Sequence, residues 1–178
     1  LLTCNTIVQS FMLMISMPLG GITGGTQTIM GYNYGARRPD RIRKAFKHVL
    51  LLGLAFTSFM FFIAHVVPEA FVRIFTKEPA YVETTVQAIR VYTMGIIPMT
   101  VQYTVVDGFT GMGIAKVAVS LSLFRKFIYF LGILFLPAVL GVGAVFYAEP
   151  LSDEVACVSS ATVFLLLSGK ILGDNRRL

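Results

Sequence analysis

The apolar stretch from Val49 to Val67 is the feature of this sequence that most restricts its fold. It contains no Lys, Arg, Asp or Glu, and its length is close to the roughly 20 residues that a helix needs to cross a bilayer. The rest of the chain is similar, since 56% of its 178 residues are hydrophobic, 13% are charged, and the mean hydropathy is +0.77. Soluble domains seldom reach such values. We therefore predict an all-α, polytopic bundle of transmembrane helices.

Apolar runs recur along the chain, and we predict about five spanning helices. Their predicted limits are residues 5–34, 45–67, 84–110, 116–140 and 153–171. The fifth apolar run is short, and the acidic segment that precedes it is interpreted as a connection. The segment from Pro68 to Pro79 has the pattern of a short amphipathic helix at the membrane interface. All 178 residues are thus assigned to one membrane domain.

Prolines and glycines interrupt two of these spans. Pro18 lies in the first span and Pro98 near the middle of the third, where a proline frees a carbonyl and bends a helix. Both are candidate bends or hinges, although packing alone would also explain them. Four glycines lie between Gly20 and Gly25, and small residues on adjacent turns allow helices to approach closely. We therefore predict a close helix contact at these glycines.

Basic residues collect in every second connection, which is the pattern of the positive-inside rule. The arrangement predicts that the Gly35–Lys47 loop and the C-terminus are cytoplasmic. Within that loop, Gly35 is suited to end a helix in the left-handed conformation, and Pro39 with Asp40 to begin the next. The net charge of +6 does not favour nucleic-acid binding, because no aromatic-interleaved polar surface surrounds the basic residues. The basic residues of the cytoplasmic connections are Arg37, Arg38, Arg41, Arg43, Lys44, Lys47, Lys116, Lys170, Arg176 and Arg177.

Two segments resemble a known family. The string "PLGGITGGTQTIMGYNYGARRPDRI", residues 18–42, is similar to the end of the second helix of the C-terminal lobe in multidrug and toxic compound extrusion (MATE) transporters. Residues 108–153 are similar to the last helical hairpin of these proteins and its lead into the final helix, although Phe146 and Tyr147 stand where the family often has Trp. The motif positions are Gln27, Gly31, Asn33, Gly35 and Ala36 in the first segment, and Phe109, Gly113, Arg125, Gly143, Ala148 and Pro150 in the second.

The resemblance implies helices eight to twelve of a twelve-helix, two-lobe transporter, without the first lobe and the seventh helix. It implies an antiporter in the plasma or inner membrane that exports amphipathic, often cationic compounds by alternating access. Na⁺ or H⁺ would drive export, and no other cofactor is implied. The expected partners are the lipid bilayer, small amphipathic substrates and the missing N-terminal lobe.

Such a transporter needs an intramembrane carboxylate, and Asp107 is the only acid in the interior of the predicted spans, since Asp153 and Glu154 stand at the very start of the fifth. Asp107 is therefore a candidate coupling residue, unless it lies in a solvated turn or serves only as the counter-ion of Arg125. Arg125 must face the bundle and find a partner, or reach the interface, because an unpaired guanidinium at that depth is costly. Arg90 is a third transport candidate, but it lies about 25 Å from Asp107 along one helix, too far for a pair.

Two other functions are less well supported by the residues. A lipid or oligosaccharide flippase of the same wider superfamily is expected to line its cavity with several cations, and only Arg90, Arg125 and Lys126 qualify. An intramembrane enzyme would need paired acids, a Ser/His arrangement or metal ligands at helical spacing, and the sequence shows none of these. Cys4 and Cys157 have neither CxxC nor Cys/His spacing, so no metal site is predicted.

Overall fold

The computed structural model describes residues 2–173, which form eight α-helices and no β-strand. The predicted basic residues Arg176 and Arg177 therefore lie outside the described residues. Two 3₁₀ turns, Thr93–Gly95 and Val142–Tyr147, precede the sixth and eighth helices. The helices are α1 Leu2–Gly24, α2 Gln27–Gly35, α3 Pro39–Val66, α4 Pro68–Phe75, α5 Pro79–Tyr92, α6 Ile96–Gly111, α7 Ala115–Leu140 and α8 Ala148–Gly173.

Four segments within residues 2–173 are long and apolar enough to cross a membrane, namely Thr3–Gly35, Pro39–Val66, Ala115–Leu140 and Gly143–Gly169. The third predicted span, 84–110, corresponds to α5 and α6 together, joined by the turn Thr93–Gly95. Neither of those two helices spans a bilayer alone, because they have 14 and 16 residues.

Proline explains both the starts of three helices and the break in the third span. Pro39, Pro68 and Pro79 begin α3, α4 and α5, where the missing N–H costs nothing. Pro98 is the third residue of α6 and cannot donate to the carbonyl of Met94. Since Met94 lies in the turn Thr93–Gly95, the 3₁₀ geometry occurs where Pro98 removes the α-helical bond. In contrast, α1 continues through Pro18 to Gly24.

The connection between α2 and α3 differs from the sequence prediction at one residue. Gly35 is the last residue of α2, but Arg37, with φ of 53°, adopts the left-handed conformation. The backbone N–H of Arg37 donates to Tyr34 and that of Arg38 to Asn33, so the strained residue closes the end of α2. The turn between α6 and α7 uses a glycine as expected, since Gly113 has φ of 77°.

Two apolar clusters fill the bundle, and polar residues lie between them along the helices. One cluster includes Ile15, Met60 and Met99, and the other includes Met30, Phe46, Val105 and Phe109. Between these positions α3 and α6 contain Thr57 and Thr100, whose hydroxyls lie 2.9 Å apart. Large side chains on the outside, including Phe59, Phe62, Phe127 and Leu134, are exposed, as lipid-facing residues of a membrane bundle are.

The glycines that allow close helix contact are not those predicted. Among the described residues, a β-carbon added at Gly20 or Gly21 would meet no atom within 4 Å, and one at Gly24 or Gly25 would meet only Gln27 or Gly21 of the same span. The predicted contact of these glycines with another helix is therefore wrong for residues 2–173. A close backbone contact lies instead between α2 and α6, where a β-carbon at Gly31 would come 2.6 Å from the carbonyl oxygen of Gly111. One at Gly111 would come 2.6 Å from the carbonyl oxygen of Gln27. Within the first predicted span, it is therefore α2 and not α1 that makes this close contact with α6.

Candidate functional site

Asp107 lies half-buried on α6 and is bound by two neutral side chains of the first span. Thr23 Oγ1 donates a hydrogen bond to Asp107 Oδ2, and Gln27 Nε2 donates to Asp107 Oδ1 over 2.9 Å. No ion pair involving Asp107 occurs within residues 2–173. The carboxylate is therefore oriented by hydrogen bonds, while its charge is left unbalanced by any contacting cation.

The break between α1 and α2 places these two donors. Gly24 and Gly25 disfavour helix, and the Thr26 hydroxyl donates to the carbonyl of Thr23 over 2.7 Å, so α1 ends and α2 begins at Gln27. Thr23 and Gln27 consequently approach Asp107 from either side of the break. The close backbone contact between Gly111 and Gln27 holds α2 against α6 at the same level.

Arg125 is buried on α7 and binds two carboxylates of α8. Its Nε donates to Asp153 Oδ1 over 2.6 Å, and its Nη2 donates to Glu149 Oε1 over 2.7 Å. The alternative in which Asp107 is the counter-ion of Arg125 is therefore wrong. The segment that the sequence suggested was an acidic connection is helical from Ala148 onward, so these two acids lie on one face of α8 at i, i+4 spacing.

A cavity of about 260 Å³ between α6 and α7 contains both charged candidates. Asp107 and Arg125 line the same space without contacting each other, and Ser122 and Lys126 lie beside them. Arg90 is elsewhere: it is exposed on α5 and donates from Nη2 to the carbonyl of His65 over 3.4 Å. The residues that line the cavity are Gln102, Tyr103, Val106, Asp107, Ser122, Arg125 and Lys126.

The remaining motif positions build the end of α2. Gly31 contacts α6, and the buried Asn33 donates from Nδ2 to the carbonyl of Ile29 over 2.7 Å. Gly35 is exposed, and Ala36 closes the helix by donating its N–H to Tyr32 over 2.9 Å. Of the motif, only Gln27 contacts a candidate coupling residue. Among the described residues, no group of three or more His, Cys, Asp and Glu is placed to hold a metal ion.

The sequence analysis did not identify Thr23, Glu149 and Asp153 as site residues, although the spacing of each could have indicated it. Thr23 lies four residues before Gln27, the spacing of one helix face. Glu149 and Asp153 have the same spacing, and a buried arginine requires such partners. Glu149 and Asp153 were overlooked because the acidic segment was interpreted as a connection that leads into the fifth span.

Helices with apolar outer surfaces, packed around buried and half-buried charges, define a polytopic α-helical membrane protein with an ionisable site inside its spans. The MatE family model matches residues 2–137. The chain belongs to the MatE family of membrane transporters, which confirms the resemblance and the all-α polytopic fold that the sequence predicted.

Among solved structures, the chain is similar to the MATE multidrug transporter DinF-BH, determined in complex with rhodamine 6G. The TM-score is 0.85 and the sequence identity is 26%. The match covers 94% of this chain and 38% of the transporter, so the chain spans well under half of that protein's length. No curated protein matches this chain.

Proposed function

We propose that this chain forms part of the C-terminal lobe of a cation-coupled multidrug antiporter, with Asp107 as a coupling carboxylate. Membership of the MatE family and the likeness to a multidrug transporter support export of drug-like compounds. The substrates are amphipathic or cationic compounds, and rhodamine 6G, the compound bound to the solved relative, is the first probe. The transporter resides in the plasma or inner membrane with its C-terminus in the cytoplasm.

The observation that carries this proposal is the unbalanced charge of Asp107. Thr23 and Gln27 fix both carboxylate oxygens but supply no positive charge, and the carboxylate opens onto a cavity. A carboxylate in that condition attracts Na⁺ or H⁺, because either cation lowers the cost of a charge inside the membrane. Alternating access then needs a rearrangement that exposes Asp107 to each side in turn.

The same cavity argues against a flippase for anionic lipid carriers. Of the three cations that the sequence offered for such a role, Arg90 lies outside the cavity and Arg125 is already bound by two carboxylates. Lys126 is the one remaining candidate among them. A pyrophosphate group requires more positive charge than a single lysine supplies.

The test is rhodamine 6G transport by the intact transporter in proteoliposomes, with a Na⁺ gradient and a H⁺ gradient imposed separately. Asp107→Asn keeps the side-chain volume and removes the charge, so we expect at least about a tenfold loss of gradient-driven export, with normal membrane insertion. Asp40→Asn is the matched control, because Asp40 is an exposed acid in the first turn of α3. Its transport rate should equal that of the wild type.

Export that is unchanged in Asp107→Asn under both gradients would remove Asp107 from the mechanism. The gradient that drives export in the wild type identifies the coupling ion. Failure of both gradients to drive rhodamine 6G or any other amphipathic dye would contradict antiport itself.

A further inference from the structure

Arg125, Glu149 and Asp153 form a charged cluster between α7 and α8 that the proposed function does not use. One guanidinium faces two carboxylates, so the cluster has a net charge of −1 when all three groups are ionised. Asp153 is fully buried, and the side chain of Glu149 is 16% exposed. An excess negative charge is thus held inside the bundle.

One oxygen of Asp153 has no partner. Oδ1 accepts the hydrogen bond from Arg125, whereas Oδ2 is buried and accepts none within the described residues. Oδ2 lies against the 3₁₀ turn that breaks the third span, since a β-carbon added at Gly95 would be 3.0 Å from it. A buried carboxylate oxygen without a donor is costly, and a proton on that oxygen removes the cost of the charge.

The surroundings favour a proton over a metal ion. Arg125, Glu149 and Lys126 are the charged groups that interact electrostatically with Asp153, and Glu154 follows it in the sequence. Tyr103 interacts with all three members of the cluster, and Tyr92 interacts with Glu149 and with Tyr129. A metal ion usually needs several ligands, and residues 2–173 contain no group of three or more His, Cys, Asp and Glu placed to hold one. A proton needs only the one oxygen.

A route for the proton is also present. Arg125 lines the cavity between α6 and α7, and Glu149 is partly exposed, so both partners of the cluster meet space outside the core. With Asp153 protonated, Arg125 and Glu149 remain as a neutral pair. The cluster therefore has a charge-balanced state that differs by a single proton from the state in which all three groups are ionised.

We infer that the cluster of Arg125, Glu149 and Asp153 is a proton-binding site, with the proton on Asp153, separate from the coupling carboxylate Asp107. This inference stands whichever cation Asp107 binds. Asp153, at the interface of α7 and α8, thus takes up and releases a proton independently of Asp107.

The test is the infrared difference spectrum of the intact transporter between acidic and alkaline pH, which shows the carbonyl stretch of protonated carboxyl groups. We expect a band that is lost in Asp153→Asn and retained in Asp107→Asn, so this inference and the coupling role of Asp107 fail separately. Glu154→Gln is the matched control, because Glu154 is exposed and adjacent on α8. Its band should equal that of the wild type.

Glu149→Gln gives a second readout. Removal of the neighbouring negative charge makes protonation of Asp153 less favourable, so the band should appear only at lower pH. Should Asp153→Asn fail to fold, Asp153→Glu keeps the carboxyl and should shift the frequency of the band. A wild-type spectrum without the band, or a band that survives Asp153→Asn unchanged, would overturn the inference.

Discussion

Arg125 and Asp107 are both charged residues within the bundle, but their charges are stabilised differently. Arg125 is buried with charge-assisted bonds of 2.6 and 2.7 Å to Asp153 and Glu149, which makes it part of the packing between α7 and α8. Asp107 has hydrogen bonds but no counter-ion within the described residues. The first arrangement balances the charge of Arg125 inside the fold, and the second leaves the charge of Asp107 without a contacting cation, which is the basis of its proposed coupling role.

Removal of Arg125 should therefore destabilise the protein more than removal of a surface arginine. Arg125→Gln leaves the buried Asp153 and the partly exposed Glu149 without a cation, and we expect a loss of about 3–5 kcal/mol in the free energy of unfolding. Arg73→Gln is the control: Arg73 pairs with Glu69 at an exposed site, and its loss should cost at most about 1 kcal/mol. Thermal unfolding in detergent measures both.

The double variant Arg125→Gln with Asp153→Asn tests the pairing itself. It removes one charge of each sign, so we expect it to recover part of the stability that Arg125→Gln alone loses. Equal stability of Arg125→Gln and Arg73→Gln would show that the cluster contributes little to the fold.

At the scale of whole helices, the sequence predicted apolar runs well and helix contacts poorly. The predicted spans 45–67 and 116–140 overlap α3 and α7, because each is a long, mostly apolar segment with a proline or glycine turn before it. The break in the third span had a visible cause in Pro98. Which glycines face a neighbouring helix depends on the rotation of each helix, and a run with four glycines in six residues does not reveal that.

Gly111→Ala should disturb the contact between α2 and α6. Its β-carbon would meet backbone atoms of Gln27 at 2.6 to 3.0 Å, and backbone cannot move aside as a flexible side chain can. We expect a loss of about 1–3 kcal/mol in stability, measured by thermal unfolding. Export of rhodamine 6G should also weaken, because Gln27 binds Asp107.

Gly21→Ala is the matched control, since a β-carbon there meets nothing within 4 Å. Its stability should be unchanged or slightly raised, because alanine favours helix by up to about 1 kcal/mol over glycine. If Gly21→Ala were the more damaging change, the contact predicted from the sequence would be the functional one.

For the whole molecule, the connections at one end of the bundle are basic and those at the other end are mixed or acidic. The contact of Gly31 with Gly111 places the α2–α3 connection and the α6–α7 turn near the same end. Arg37 and Arg38 lie in the first connection, and Lys116 is the second residue of α7, directly after the turn. The opposite end contains α4 and the start of α5, where Glu69, Glu78 and Glu83 accompany Arg73 and Lys77. Basic residues are thus concentrated at one end of the folded bundle, and this difference between the two ends predicts the orientation of the protein in the membrane.

Labelling of single cysteines tests that orientation in intact cells. Arg43→Cys, Lys116→Cys and Glu83→Cys each replace an exposed residue, in a background where Cys4 and Cys157 are changed to alanine. A membrane-impermeant maleimide should label position 83 from outside and the other two only after permeabilisation, since basic connections are retained in the cytoplasm. Positions 43 and 116 must behave alike if the helices cross as described, whereas labelling of one and not the other would contradict the number of crossings. Reversed labelling of all three would leave the fold intact and invert the orientation, and the proposed direction of export would then be wrong.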